Sequence, residues 1–106
     1  ECKTEKELQY LIAEYLTELN LDCYLEFPLP SGEIDILVPA IQLGIEVKLE
    51  PNYTDRYILL AQRTKYENDL GWQVIIVSKK GSIGLSINKF LSQITKKRFI
   101  MSRTFK

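Results

Sequence analysis

The hydrophobic and polar residues of this chain follow two spacings, one typical of helices and one typical of strands. From Thr4 to Asn20 the chain is predicted to be helical, because Leu8, Ile12 and Leu16 recur on one helical face. Thr4 is expected to cap this helix at its N-terminus, with a glutamate three residues later completing a capping box. An amphipathic helix therefore opens the fold.

The remaining segments alternate between strand-like and helix-like patterns. Pro28 favours an edge position for the first strand, and the tail from Lys96 to Lys106 is expected to be a short strand or a frayed end. The predicted strands are Cys23–Leu29, Glu33–Val38, Gln42–Leu49 and Trp72–Ser78, and the further predicted helices are Tyr57–Leu70 and Ser86–Ile94.

Charged residues interrupt two adjacent strands that otherwise look like core strands. Asp35 lies within the apolar run Glu33–Val38, and both Glu46 and Lys48 lie in the run that follows. Because side chains alternate along a strand, Glu46 and Lys48 share one face. Asp35 is beside Glu46 only if the paired residue numbers sum to 81, since a slip of one residue moves one carboxylate to the other face.

Carboxylates in a half-buried strand are unfavourable unless they are paired or bind a metal ion. A divalent-cation site for Mg²⁺ or Mn²⁺ is therefore predicted, with Asp35 and Glu46 as oxygen ligands and the Val47 carbonyl as a further one. Glu5 lies on the apolar stripe of the first helix and is expected to complete the set, or else to stabilise the helix dipole. A cross-strand salt-bridge cluster with Lys48 is the structural alternative.

Length and composition restrict the possible chemistry. With 106 residues, the chain is expected to form one domain, residues 1–106. The absence of histidine excludes Ser-His and Cys-His nucleophile pairs and histidine-ligated zinc. Two cysteines are too few for a disulfide framework and suggest a reducing cytoplasmic location, and no apolar run is long enough to cross a membrane.

Charge is divided between the two halves of a chain whose net charge is zero. Residues 1–53 contain 11 acidic and 3 basic residues, whereas residues 54–106 contain 3 acidic and 11 basic residues. The second half is therefore the part that a polyanion would contact, although a solvated basic face is an equally good reading. The candidate phosphate contacts are Arg56, Arg63, Lys65, Lys79 and Lys80.

The order of these motifs resembles the PD-(D/E)xK nuclease superfamily. The resemblance covers roughly Thr4 to Ser78 and rests on the helix acid Glu5, on Asp35 within GEIDI, and on Glu46-Val47-Lys48. The segment from Gln62 to Tyr66 also fits the Q-x-x-x-Y motif of its RecB-type branch, and the compact length is similar to that of archaeal Holliday-junction resolvases.

The resemblance implies a restriction-endonuclease-like αβββαβ core, an α/β fold whose mixed central sheet is flanked by helices. It also implies a Mg²⁺-dependent deoxyribonuclease, for which an endonuclease is the expected type and branched DNA is one candidate substrate among others. Lys48 would orient or deprotonate the attacking water, and Gln62 and Tyr66, one helical turn apart, would reach the edge of the site or the nucleic-acid backbone. A surface glutamine and a packing tyrosine are the structural alternatives for the last two residues.

Two other classes of function stay open from sequence. One is a non-catalytic nucleic-acid-binding or assembly module, and the other is a structural domain with a buried ionic cluster. A resolvase-like enzyme would need a homodimer to cut two strands. Apolar residues expected to supply that contact are Leu59, Leu60, Phe90 and Phe99.

Overall fold

The computed structural model describes residues 3–49, 55–79 and 85–104. It shows an α/β fold of three helices and one four-stranded mixed sheet in the order αβββαβα. A single 3₁₀ turn, Pro39–Ile41, separates the second and third strands. The elements are α1 (Glu5–Glu18), β1 (Tyr24–Leu29), β2 (Gly32–Val38), β3 (Leu43–Lys48), α2 (Arg56–Leu70), β4 (Gln73–Ser78) and α3 (Ile87–Thr104).

The strands lie in the sheet in chain order. β1, β2 and β3 are antiparallel neighbours, whereas β3 and β4 are parallel and are connected by α2. β1 lies at one edge and contains Pro28, as predicted, because an edge strand leaves one row of amides unpaired and tolerates a residue without an N–H group. At the other edge, Leu85 forms an isolated parallel bridge with Val77.

The helices cover both faces of the sheet. On one face, Leu8, Ile12 and Leu16 of α1 and Phe90 and Ile94 of α3 pack in the larger hydrophobic cluster. The other face is covered by α2, in a smaller cluster formed by Ile34, Leu37, Tyr66 and Val74.

Thr4 determines where α1 begins. Its hydroxyl accepts a hydrogen bond from the Glu7 amide at 3.1 Å, which satisfies one of the otherwise free N–H groups of the first turn. The predicted cap is therefore confirmed. At the start of α3, the Ser86 hydroxyl accepts a hydrogen bond from the Lys89 amide at 3.3 Å and so satisfies a free N–H group of that first turn as well.

The register between β2 and β3 agrees with the prediction. Ile36 pairs with Ile45, Leu37 with Gly44 and Val38 with Leu43, so the numbers of each pair sum to 81. These three pairs are the only ones between the two strands in the described part of the chain, although β2 begins at Gly32 and β3 continues to Lys48. The two strands therefore diverge beyond the Ile36–Ile45 pair.

The divergence coincides with a bend in the β1–β2 hairpin. Glu26, which would lie opposite Asp35, has a φ of 51°, a left-handed conformation that is unusual for glutamate. On one side of this point Ile36 belongs to the α1 face, but on the other side Ile34 packs with Tyr66 of α2. The tip of the hairpin thus turns away from β3 and packs against α2.

Gly44 allows α2 and the bent hairpin to approach β3. A Cβ atom at this position would lie 2.5 Å from Cδ1 of Ile34 and 3.2 Å from Cδ1 of Leu70. A larger residue would therefore push the hairpin or the helix away from the strand. The same contacts show that Gly44, and with it the alternate residues Glu46 and Lys48, lies on the α2 face.

Several boundaries differ from the sequence prediction. The tail was expected to be a strand or a frayed end, but α3 continues to Thr104, because Ile87–Thr104 contains no glycine or proline that would end a helix. The predicted polar loop after β3 falls mainly on residues 50–54, which lie outside the described residues. Within the described residues, no helix combines the length and apolarity needed to span a membrane.

Candidate functional site

Two carboxylates occupy the point where β2 and β3 diverge. Oδ2 of Asp35 accepts a hydrogen bond from the Val47 amide at 2.7 Å, and Oε1 of Glu46 accepts one from the Asp35 amide at 3.1 Å. Each strand thus supplies a carboxylate to a backbone N–H group of the other strand. These side-chain bonds take the place of ladder bonds that the divergent backbones do not form.

Both carboxyl groups are held in surroundings that disfavour their charge. Burial raises the pKa of Glu46 to about 7, with the nearby Asp35 as the second cause. Burial also raises the pKa of Asp35, against the opposing effects of the Val47 amide and of the Lys48 charge. The two acids together therefore form a site that a positive charge would stabilise.

Lys48 lies on the same face of β3 as Glu46, as predicted, and its side chain is half-buried. Its positive charge lowers the pKa of both Asp35 and Glu46, so it lies within electrostatic range of the pair. However, it forms no ion pair within 4.0 Å of either carboxylate; among the described residues, the recorded ion pair joins Lys6 to Glu26. The salt-bridge alternative therefore lacks its central contact.

Glu5 lies near this pair, at the N-terminal end of the apolar stripe of α1, but it is exposed and does not point into the core as expected. Its side chain is exposed, and Oε2 accepts a hydrogen bond from the Leu49 amide at 3.3 Å. Its negative charge contributes to the raised pKa of both Asp35 and Glu46. Among residues 3–49, 55–79 and 85–104, no three carboxylate or thiol side chains are close enough together to hold one metal ion.

Gln9 is a site residue that sequence reasoning missed. It lies on the buried side of α1 with 5% of its surface exposed, and its Nε2 donates a hydrogen bond to the Asp35 carbonyl at 3.2 Å. Gln9 thereby holds the backbone at the bend of β2. A polar residue next to Leu8 on the apolar face of a predicted helix is the signal that identifies it.

Comparison of the chain with protein-family models, with curated proteins and with solved structures gives no match.

The oxygen donors of the pair are suitable for a small divalent cation. Asp35 and Glu46 each use one carboxylate oxygen for a backbone amide, and within the described residues no hydrogen bond reaches the second oxygen of either group. Carboxylate oxygens are the ligands that Mg²⁺ and Mn²⁺ prefer, and Mg²⁺ is usually bound by one or two carboxylates together with water. The two carboxylates are thus donors of the type that the predicted metal prefers, whereas Val47 and Glu5 stay predicted ligands, because Glu5 does not form a three-ligand cluster with the pair among the described residues.

Gln62 and Tyr66 both form hydrogen bonds to the hairpin tip, with Tyr66 buried and Gln62 half-buried. The Tyr66 hydroxyl donates to the Glu33 carbonyl at 2.9 Å, and Gln62 Nε2 donates to the Ser31 carbonyl at 3.5 Å. Asp69, also missed from sequence, accepts a hydrogen bond from the Ser31 amide at 2.9 Å. Because Tyr66 is only 4% exposed, the expected contact with nucleic acid does not fit its position.

The predicted phosphate contacts differ in accessibility. Arg56 and Lys65 are exposed on α2, whereas Arg63 and Lys79 are half-buried. The Nε atom of Arg63 is buried and has no hydrogen-bond partner among the described residues, and the Lys79 amide donates to the Leu49 carbonyl at 3.0 Å. Lys80 lies outside the described residues.

The apolar surface suggested for a dimer contact is largely part of the core. Leu59 is 8% exposed and Phe90 is fully buried, so neither side chain is available to a second copy. Leu60 is half-buried, and the side chain of Phe99 lies outside the described part of the structure. The exposed apolar residues of α2 are instead Tyr57 and Ile58.

Proposed function

We propose that this chain is a divalent-metal-dependent DNA nuclease of the PD-(D/E)xK type, with Asp35, Glu46 and Lys48 as its catalytic group. The single observation that supports it most is the convergence of the buried Glu46 and the half-buried Asp35 where the strands diverge, with a lysine on the same strand face as Glu46. The αβββαβ order of elements is compatible with the restriction-endonuclease-like core, and the basic second half suits a polyanionic substrate.

Each residue has a role in this proposal that follows from its position. Asp35 and Glu46 would hold Mg²⁺ or Mn²⁺, which supplies Lewis-acid stabilisation of a phosphate and an activated water. Lys48 would place a positive charge beside the scissile phosphate and orient the attacking water. Glu5 would assist from the start of α1, and Gln9 would fix the Asp35 backbone through its carbonyl.

A second candidate is a non-catalytic module, because both carboxylates accept hydrogen bonds from backbone amides and therefore already stabilise the fold. Such a domain would bind nucleic acid, or assemble with a partner, without cutting. Lys48 distinguishes the nuclease from this module, because it forms no ion pair within 4.0 Å of either carboxylate and is therefore needed for cleavage but not for holding the pair.

The test is a cleavage assay on supercoiled plasmid, single-stranded DNA and branched DNA, with Mg²⁺, Mn²⁺ or EDTA. We expect metal-dependent cleavage that Lys48→Ala and Asp35→Asn reduce by about 10²–10³-fold or more. Lys89→Ala, which removes an exposed lysine from α3, is the matched control and should cut normally. Binding without cleavage would support the module instead, and cleavage that persists in Lys48→Ala would refute the proposed catalytic group.

A further inference from the structure

The first turn of α2 exposes two large apolar side chains side by side. Tyr57 is 74% exposed and Ile58 is 70% exposed, the highest values among the large hydrophobic residues described. The rest of the outward face of α2 is small or polar. It is formed by Ala61, Thr64, Lys65 and Asn68.

This first turn lies toward the C-terminal end of β3, which is at Lys48. Because β3 and β4 are parallel, the helix that connects them must run in the opposite direction, and Leu70 at its end packs near Gly44 at the start of β3. The twelve residue steps from Ile58 to Leu70 span about 18 Å of helix. The four residue steps from Gly44 to Lys48 span about 13 Å of strand, so the first turn of α2 extends past the end of β3.

The charged residues near Tyr57 and Ile58 indicate which class of partner this surface would bind. Arg56, which begins the same turn, is exposed, and so is Lys65 two turns later. The exposed charged side chains of α2, Arg56 and Lys65, are both basic, whereas its acidic residues Glu67 and Asp69 are half-buried, so this outward face attracts a polyanion. An aromatic ring next to arginine is the combination with which proteins stack and hold the bases of single-stranded nucleic acid.

We propose that Tyr57, supported by Ile58 and Arg56, is a stacking site for an unpaired base of a single-stranded nucleic-acid segment. Paired bases inside a duplex do not present their faces to such a side chain, so the site favours strands with unpaired bases over blunt duplex. This inference rests on the proposed function, because it names strands with unpaired bases as the form of DNA that the nuclease would bind.

The experiment measures fluorescence anisotropy of labelled DNA in EDTA, where no metal-dependent cleavage occurs. The two probes are a short single strand and a blunt duplex of equal length. We expect Tyr57→Ala to weaken binding of the single strand about tenfold and of the duplex less than twofold. Tyr57→Phe, which keeps the aromatic ring, should bind as the unsubstituted protein does.

Tyr10→Ala is the matched control, because Tyr10 is 54% exposed on α1 in the acidic half of the chain and should not affect DNA binding. Circular dichroism of each variant checks that the fold is kept. Equal effects of Tyr57→Ala and Tyr10→Ala, or equal losses for single strand and duplex, would overturn the stacking site. An oligomer that Tyr57→Ala dissociates, with unchanged DNA binding, would overturn it in favour of a second copy.

The Lys48→Ala cleavage assay keeps the two proposals apart. Loss of single-strand binding in Tyr57→Ala, together with normal cleavage in Lys48→Ala, would retain the stacking site and reject the catalytic group. Unchanged binding in Tyr57→Ala, together with lost cleavage in Lys48→Ala, would reject the stacking site and leave the nuclease in place.

Discussion

The two halves of the β2–β3 pair differ in how their backbones pair and in the polarity of their side chains. From Val38 and Leu43 to Ile36 and Ile45, the backbones pair in regular register and the side chains are apolar and buried. Beyond that point the backbones diverge, and the carboxylates of Asp35 and Glu46 satisfy the freed amides. Regular pairing gives stability, whereas the divergence brings two ionisable groups with raised pKa values together, an arrangement that is more frequent at functional sites than elsewhere.

The largest effect on stability is expected in the paired half. Ile45 is fully buried in the cluster under α1, so Ile45→Ala should lower the free energy of unfolding by about 2–5 kcal/mol through lost burial and a residual cavity. Urea unfolding followed by circular dichroism measures this loss. Ala61→Gly on the exposed face of α2 is the control and should lower the free energy of unfolding by about 1 kcal/mol. An equal loss in both variants would contradict the assignment of the core to this half of the strand pair.

An intermediate effect, dependent on pH, is expected in the divergent half. The pKa of Glu46 is about 7 in the fold against 4.5 ordinarily, so the folded state binds the extra proton between these values. Protonated Glu46 therefore makes its full contribution to the free energy of unfolding below about pH 4.5, and this contribution is lost as the pH rises through 7. In EDTA, we expect a loss of about 2–3 kcal/mol over that range.

Glu46→Gln isolates this contribution, because the amide oxygen still accepts from the Asp35 amide but cannot ionise. Urea unfolding at several pH values should show a clearly smaller decrease in this variant. Asp35, whose pKa is also raised, would account for what remains. An identical pH dependence with and without Glu46 would show that its carboxyl group is not buried as described.

A smaller effect is expected where α2 holds the hairpin tip. Tyr66→Phe removes the hydrogen bond to the Glu33 carbonyl and should cost about 1 kcal/mol. Tyr10→Phe makes the same change at an exposed tyrosine and should leave the free energy of unfolding unchanged. A Tyr66→Phe variant as stable as the Tyr10→Phe control would show that this contact does not hold the bent hairpin in place.

The regular half of the β2–β3 pair could be predicted from sequence because strand side chains alternate with a period of two. That period placed Glu46 and Lys48 on one face, and the hypothesis that Asp35 lies beside Glu46 required the register summing to 81 that the strands adopt. The helix cap at Thr4 and the stop of α2 at Gly71 follow equally local rules, and Gly71 has the left-handed φ of 71° expected there.

The bend of the hairpin could not be predicted, because nothing in the sequence marks Glu26 for a left-handed conformation. That bend decides the roles of Gln62 and Tyr66, which face the hairpin tip instead of an open cleft. The position of Glu5 was missed for a related reason. A residue in the first helical turn can lie on the apolar stripe and still extend past the end of the core.

The central claim is that the Asp35–Glu46 pair binds a divalent cation, and calorimetric titration with Mn²⁺ tests it most directly. The account predicts one Mn²⁺ bound per chain with release of protons at pH 6–7, where Glu46 is partly protonated. Binding should be lost in Asp35→Asn and Glu46→Gln and kept in Lys89→Ala. Absence of Mn²⁺ binding to the unsubstituted protein at millimolar concentration, or binding that survives both carboxylate substitutions, would contradict it.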